Sequence, residues 1–284
     1  MSLVLGIGMT CAIGEDTAAL GRGAATVARS GTFTNAHVAD TPFVQGVLGD
    51  AKARDALGLA LAACRSAIAD SGLDPASSRI AVIVATGAGD TGPLEAQDPD
   101  ARPYDLVRDL AEALDCRGVL LTVATACSSA SYAAALADDL LAQGHDHVLL
   151  CGVEAKSESS QFTFKALLAL DHDGCFPFSD QRRGTVLGAG AAALVLGSRV
   201  PAHGHAYGTI SAVSLTCDAH HDTAPDPEGH ALRRGMRAAL DRAGCGAADI
   251  DLFVPHATGT RLNDEIEQRL LSEEFGARFE QGRV

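Results

Sequence analysis

A chain of 284 residues is long enough to bury about three quarters of the surface its unfolded form exposes, so core size sets no obstacle to a globular fold. Hydrophobic residues make up 47%, but aromatic residues only 4% and tryptophan is absent, which argues against an aromatic stacking platform for nucleic acid. The formal net charge of -14 repels phosphate backbones and anionic membrane surfaces alike.

In chain order, apolar runs rich in Val, Ile and Leu predict strands at Leu3–Ile7, Ile80–Ala85, Val119–Val123, Val148–Val153, Ala191–Leu196 and Leu252–Val254. Between them, Ala51–Asp70 reads as a helix with Leu57, Leu61, Cys64 and Ile68 on one face and a stop at Gly72, and Ser131–Gln143 as a second that stops at Gly144. The stretch Asp222–Gly229, with Pro225 and Pro227, reads as a connector. Continuous apolar strands alternating with helices predict a buried, largely parallel α/β architecture.

Eight cysteines are scattered without a CxxC, which suits neither a zinc site nor a disulfide framework, and implies free thiols in a reducing, cytoplasmic setting. The apolar opening lacks a basic leader, and no run reaches the 18 or so apolar residues of a membrane span, so no membrane partner is expected.

The segments "AIADSGLDPASSRIAVIVATG" (67–87) and "ALDRAGCGAADIDLFVPHATG" (239–259) align without a gap at an offset of 172, with seven of 21 positions identical. Each reads as a helix end, a stop glycine, a polar connector, a strand and Ala-Thr-Gly, the signature of an internal duplication. Val84 of the first copy corresponds to His256 of the second. The counterpart of Cys127 would fall at 127 + 172 = 299, beyond Val284.

Cys127 follows a strand and precedes a helix, a location where helix amides favour the thiolate. Ser128, Ser129 and Ala130 are small enough to admit a substrate. A buried cysteine acting as a small hydrophobe is the competing reading. His256 ends a predicted strand beside Thr258 and Thr260, and paired with a nucleophile it can serve as a proton or hydrogen-bond partner rather than a structural histidine. "GIGMTCAIG" has two glycines of a dinucleotide-binding loop but Cys11 where the third belongs. His220-His221 and His203-x-His205 read as solvated loop residues, so no metal is expected.

"TACSSA" (125–130), "PFSDQRRGTVLGAGAAALVL" (177–196), "TCDAHHDTAPDPEG" (216–229) and "PHATGTRLND" (255–264) resemble, in order, the signatures of the β-ketoacyl synthases of fatty-acid and polyketide assembly, and "LVLGIGMTCAIG" resembles that family's first strand and turn. The resemblance implies a thiolase-like fold of two similar βαβαβ halves, with stacked mixed sheets between helical layers. Residues 1–200 would form the cysteine half and 201–284 an incomplete second half carrying the histidine. It implies Cys127 as the acylated nucleophile, His256 as hydrogen-bond donor to the malonyl thioester as its carbanion forms, and Thr258 and Thr260 as ligands of the pantetheine arm. The implied partners are an acyl carrier protein, whose phosphopantetheine carries the substrates so that no other cofactor is needed, and a second ketosynthase subunit in a homodimer or heterodimer.

The sequence departs from the family at Gly188-Ala189-Gly190, where Gly-Glu-Gly is usual, at Thr185 in place of a phenylalanine, and at Ala257 within the His-Gly-Thr triplet. The second catalytic histidine and the late glycine-rich loop have no counterpart up to Val284. The alternative reading is therefore a non-condensing partner subunit of the chain-length-factor type; a third takes the chain as part of a longer product. For carrier-protein docking the sequence offers Arg182, Arg183 and Arg233 as a basic patch.

Overall fold

The computed structural model describes residues 1–11, 54–76, 79–171, 174–200, 204–276 and 279. The readings made on residues 12–14 and 51–53 and on His203, together with the side chain of Cys11, lie outside them.

The described residues group into two compact units. The first, drawn from residues 1–11, 54–161 and 188–213, is built on one six-stranded mixed sheet of order β3-β2-β4-β5-β1-β6. Its strands are β1 (Ser2–Cys11), β2 (Ile80–Ala85), β3 (Leu120–Val123), β4 (His147–Glu154), β5 (Gly190–Gly197) and β6 (Gly208–Ile210). β3, β2 and β4 run parallel, whereas β5 is antiparallel to both β4 and β1, and β6 is antiparallel to β1. The sheet is thus less parallel than the apolar runs alone suggest. Burial on both faces, which those runs do report, is blind to strand direction. β2 is buried at all six positions.

Helices α1 (Ala56–Ser71), α2 (Gly92–Glu95), α3 (Leu106–Ala113) and α4 (Ser129–Ala142) join these strands, and α5 (Glu158–Ala166) follows β4. α1 begins at Asp55, whose side chain accepts a hydrogen bond from the Gly58 amide, and ends at Gly72 in the left-handed conformation. Of the expected face, Cys64 and Ile68 are buried, alongside Leu59, Ala60, Ala63 and Ala67, while Leu57 and Leu61 are only partly buried. The reason is on β1: a Cβ at Gly6 or Gly8 would collide with the α1 carbonyls of Ala67 and Ala63. The two glycines let helix and strand approach closely, against the small residues Ala63, Ser66, Ala67 and Ser71. The Gly-x-Gly therefore serves packing.

The second unit, drawn from residues 162–187 and 214–276 with Phe279, contains α6 (His230–Ala243) and α7 (Arg261–Phe275). α6 ends at Gly244 with φ 68°, as α1 ends at Gly72 with φ 69°. Beyond these helix ends the two aligned segments differ. Where β2 is hydrogen-bonded on both sides, Leu252–Val254 carries no ladder among the described residues, contrary to expectation. The segment keeps a strand-like alternation: Leu252 is 65% exposed, Phe253 7% and Val254 87%, with Phe253 packed edge-on against Phe275. An apolar run supplies the propensity for a strand, and pairing needs a neighbour to accept its hydrogen bonds.

Candidate active-site elements

Cys127 lies beyond the carboxyl end of β3, in a single 3-10 turn, Ala126–Ser128, that leads directly into α4. The helix begins two residues earlier than its apolar periodicity indicates, which brings its first turn, with amides lacking intrahelical acceptors, next to the cysteine. Cys127 is exposed and so does not act as a buried small hydrophobe. The preceding residue, Ala126, has φ 53°, a left-handed conformation that a residue with a Cβ adopts only when its surroundings impose it.

Those surroundings can be traced atom by atom. The Thr86 amide donates to the Val123 carbonyl (3.0 Å), joining the ends of β2 and β3. Ser129 is 3% exposed, and its hydroxyl accepts from the Thr125 amide (2.8 Å) and faces the carbonyls of Ala126 (2.6 Å) and Thr86 (2.8 Å). Ser128 donates to the Thr125 carbonyl at 2.7 Å. The Thr86 hydroxyl in turn donates to Glu154 at the end of β4 (2.9 Å), and the Gly87 amide donates to the same carboxylate oxygen. Ser128 and Ala130 are exposed and can face a substrate. Ser129, expected to do likewise, is turned inward.

His256 is exposed on the loop before α7, and this loop is held by two acidic residues that sequence reasoning missed. Glu267, 8% exposed, accepts the amides of His256 (2.6 Å) and Ala257 (2.8 Å) on its two oxygens. Ala257 has φ 51°, so the carboxylate fixes a turn the alanine would not choose. Asp264, 0% exposed, accepts from the Gly259 amide (3.2 Å) and Thr258 hydroxyl (3.4 Å) on one oxygen and from the Phe178 amide (2.8 Å) on the other. Asp264 and Glu267 are three apart on α7 and so share a face; the acidic residues Asp264, Glu265 and Glu267 in the first two turns after a Thr-rich loop were the available signal. The Thr258 and Thr260 oxygens are 2.8 Å apart. With the Thr258 proton on Asp264 and the Thr260 proton on Thr258, the Thr260 oxygen keeps lone pairs that can accept a further hydrogen bond.

Gly259, with φ 72°, backs this loop, and the Cys175 thiol donates to the Thr258 carbonyl at 3.5 Å. Burial pushes the Cys175 thiol above its ordinary range. In the first unit, a hydrogen bond with Cys151 and burial raise the Cys64 thiol, and burial raises Cys116 to about 11. These thiols are structural. Among the described residues, no group of three or more His, Cys, Asp or Glu side chains is placed to hold a metal ion.

Cys127 belongs to the first unit, and His256, Thr258 and Thr260 to the second. Of the arginines expected to form a basic patch, Arg233 bonds Glu273 and Glu274 (2.6 Å to the latter) and Arg183 bonds Asp171 (3.1 Å), so each has an acidic partner. Arg182 donates to the Ser179 carbonyl at 2.9 Å.

Comparison with known proteins matches residues 15–202 to the family "Beta-ketoacyl synthase, N-terminal domain" and residues 207–283 to its C-terminal domain. The chain is 37% identical over 186 residues to nodulation protein E of Rhizobium meliloti, covering 62% of this chain and 45% of that protein. It is 29% identical over 257 residues to the tetracenomycin polyketide synthase ketoacyl synthase alpha subunit of Streptomyces glaucescens, covering 78% and 60%. The chain thus spans about half the length of these relatives. Among solved structures, the ishigamide ketosynthase/chain length factor superposes with a TM-score of 0.77 at 26% identity, covering 99% of this chain and 81% of that one. A ketosynthase in complex with its chain length factor from Xenorhabdus doucetiae gives 0.76 at 23%, covering 99% and 79%. The fold is that of the thiolase-like ketosynthases.

Proposed function

The chain belongs to the β-ketoacyl synthase family, and from that premise we propose that it carries the acyl-accepting half of a condensing enzyme of fatty-acid or polyketide synthesis. The observation that carries the reading is the exposed Cys127 on a strained turn at the start of α4. The thiolate attacks the thioester carbonyl of an acyl chain borne on the phosphopantetheine of an acyl carrier protein. The tetrahedral adduct collapses, the pantetheine thiolate leaves and takes up a proton, and the acyl group stays on Cys127. A malonyl thioester then loses carbon dioxide, and its enolate attacks the Cys127 thioester and expels the cysteine thiolate. The imidazole of His256 donates to the enolate oxygen where charge develops, a contribution typically worth about 100-fold or more in rate. Of the two threonines, Thr258 and Thr260, the Thr260 oxygen remains to accept from an amide of the pantetheine arm.

A partner subunit fits the same unit. β3 is an edge strand with a neighbour on one side only among the described residues, and it runs straight to Cys127. An edge with Leu120 38% exposed is suited to pair with another ketosynthase subunit, a second copy or a homologue.

The chain-length-factor reading is favoured by one feature, Ala189 in place of the family's glutamate between Gly188 and Gly190. The test that separates the two is product formation from acyl and malonyl carrier proteins, followed by mass spectrometry. In the active assembly, a condensing role predicts that Cys127→Ala abolishes β-ketoacyl product and that His256→Ala lowers it about 100-fold or more. A partner role predicts unchanged product from Cys127→Ala.

A further inference from the structure

Among the described residues, the Ser129 side chain touches both flanks of the Cys127 turn and the residue that follows the strand behind it. Its oxygen lies 2.8 Å from the Thr125 amide, 2.6 Å from the Ala126 carbonyl and 2.8 Å from the Thr86 carbonyl. A hydroxyl has one proton, so the proton is shared between the two carbonyls while a lone pair receives the amide. All of this happens at 3% exposure, where water cannot substitute for a lost partner. Between the bonded residues lies Ala126 at φ 53°, a left-handed conformation that would relax if nothing held it. Relaxation of Ala126 changes the direction in which the next residue, Cys127, leaves the turn.

We propose that Ser129 is a positioning residue for Cys127, its hydroxyl clamping the left-handed Ala126 between Thr125 and Thr86 so that the thiol is held against the start of α4. The clamp is itself anchored. Thr86 joins β3 through its amide and Glu154 of β4 through its hydroxyl, so the turn is referenced to the carboxyl ends of all three parallel strands. The role rests on the reading of Cys127 as nucleophile, but its test does not use acyl transfer, so the two can fail separately.

The experiment measures the rate of iodoacetamide alkylation of Cys127 by peptide-resolved mass spectrometry, with exposed Cys217 as the internal reference in each protein. Ser129→Ala is compared with Ser129→Thr and Ser129→Val, which share one shape and differ by the hydroxyl alone. The expected result is that Ala and Val slow Cys127 relative to Cys217 by roughly threefold or more, the scale of losing a helix-terminus effect on a thiolate, and that Thr restores the wild-type ratio. Equal ratios for Thr and Val overturn the proposal, because a hydroxyl that only stabilises the fold leaves the ratio unmoved. Should Ser129→Ala not yield folded protein, the Thr and Val pair carries the same comparison. Acylation failing at Cys127 while the alkylation ratio follows the hydroxyl would refute the enzyme reading and leave the clamp standing.

Discussion

Replacing Glu267 with glutamine should loosen the His256 loop by a predictable amount. The carboxylate accepts two consecutive amides, from His256 at 2.6 Å and Ala257 at 2.8 Å, one on each oxygen, at 8% exposure. Glutamine keeps one acceptor and places an NH2 group against the other amide, so one charge-assisted bond is lost and one backbone donor is stranded. A hydrogen bond to a charged group contributes roughly 1.5–3 kcal/mol, and the Ala257 turn at φ 51° loses its restraint besides. The expected destabilisation is about 2 kcal/mol. With a urea slope of about 2–3 kcal/mol per molar, the unfolding midpoint read by circular dichroism should fall by about 0.7–1 M. Glu267→Ala, which strands both amides, should cost more. A Gln variant within about 0.5 kcal/mol of wild type would refute the claim that this carboxylate holds the loop.

Gly259→Ala should be at least as severe: its Cβ would lie 2.6 Å from the Gly184 carbonyl and 2.9 Å from the Cys175 sulfur at φ 72°, for a loss of roughly 2–4 kcal/mol in thermal unfolding. A loss under 1 kcal/mol would contradict it. Glu95 provides a pH signature. Desolvation pushes its carboxyl up, but the amides of Ser159 and Glu158 and the hydroxyls of Ser159 and Ser157 outweigh it and hold it at about 2, against an ordinary 4.5. Because the folded value is depressed, its contribution is full above pH 4.5 and is lost as the pH falls towards 2. The stability gap between wild type and Glu95→Gln should close over that window, and a gap independent of pH would count against the capping of α5. Among the cysteines, iodoacetamide at pH 8 should label exposed Cys127 in the native protein and spare Cys64 and Cys116, whose thiols are buried and raised. Labelling of Cys116 at a comparable rate would show that the core of the first unit opens.

How far the fold could be read from the sequence depended on whether local pattern or partnership decided each element. β2 was legible to the residue because it is apolar at every position and buried on both faces. Leu252–Val254 is equally apolar and forms no ladder among the described residues, since a strand also requires an adjacent strand. β6 was missed because three residues, Gly208–Ile210, carry no periodicity. The α1 face was rotated towards its alanines by Gly6 and Gly8, a constraint located on another element. At the site, Cys127 and His256 stood out by residue type and motif. Asp264, Glu267 and Ser129 did not, for their work is to accept or donate to backbone atoms, and any helix surface offers such side chains. The pairing of Arg233 with Glu273 and Glu274 was likewise not legible, since the partners lie on another helix.

The central claim is that Cys127 accepts an acyl group. Incubating the protein with an acyl thioester of an acyl carrier protein and digesting it should give a peptide containing Cys127 heavier by the acyl mass, the free carrier thiol appearing in step. Cys127→Ala should show neither. An unmodified Cys127 peptide beside a competent carrier, or acylation that persists at another residue in Cys127→Ala, would contradict the account.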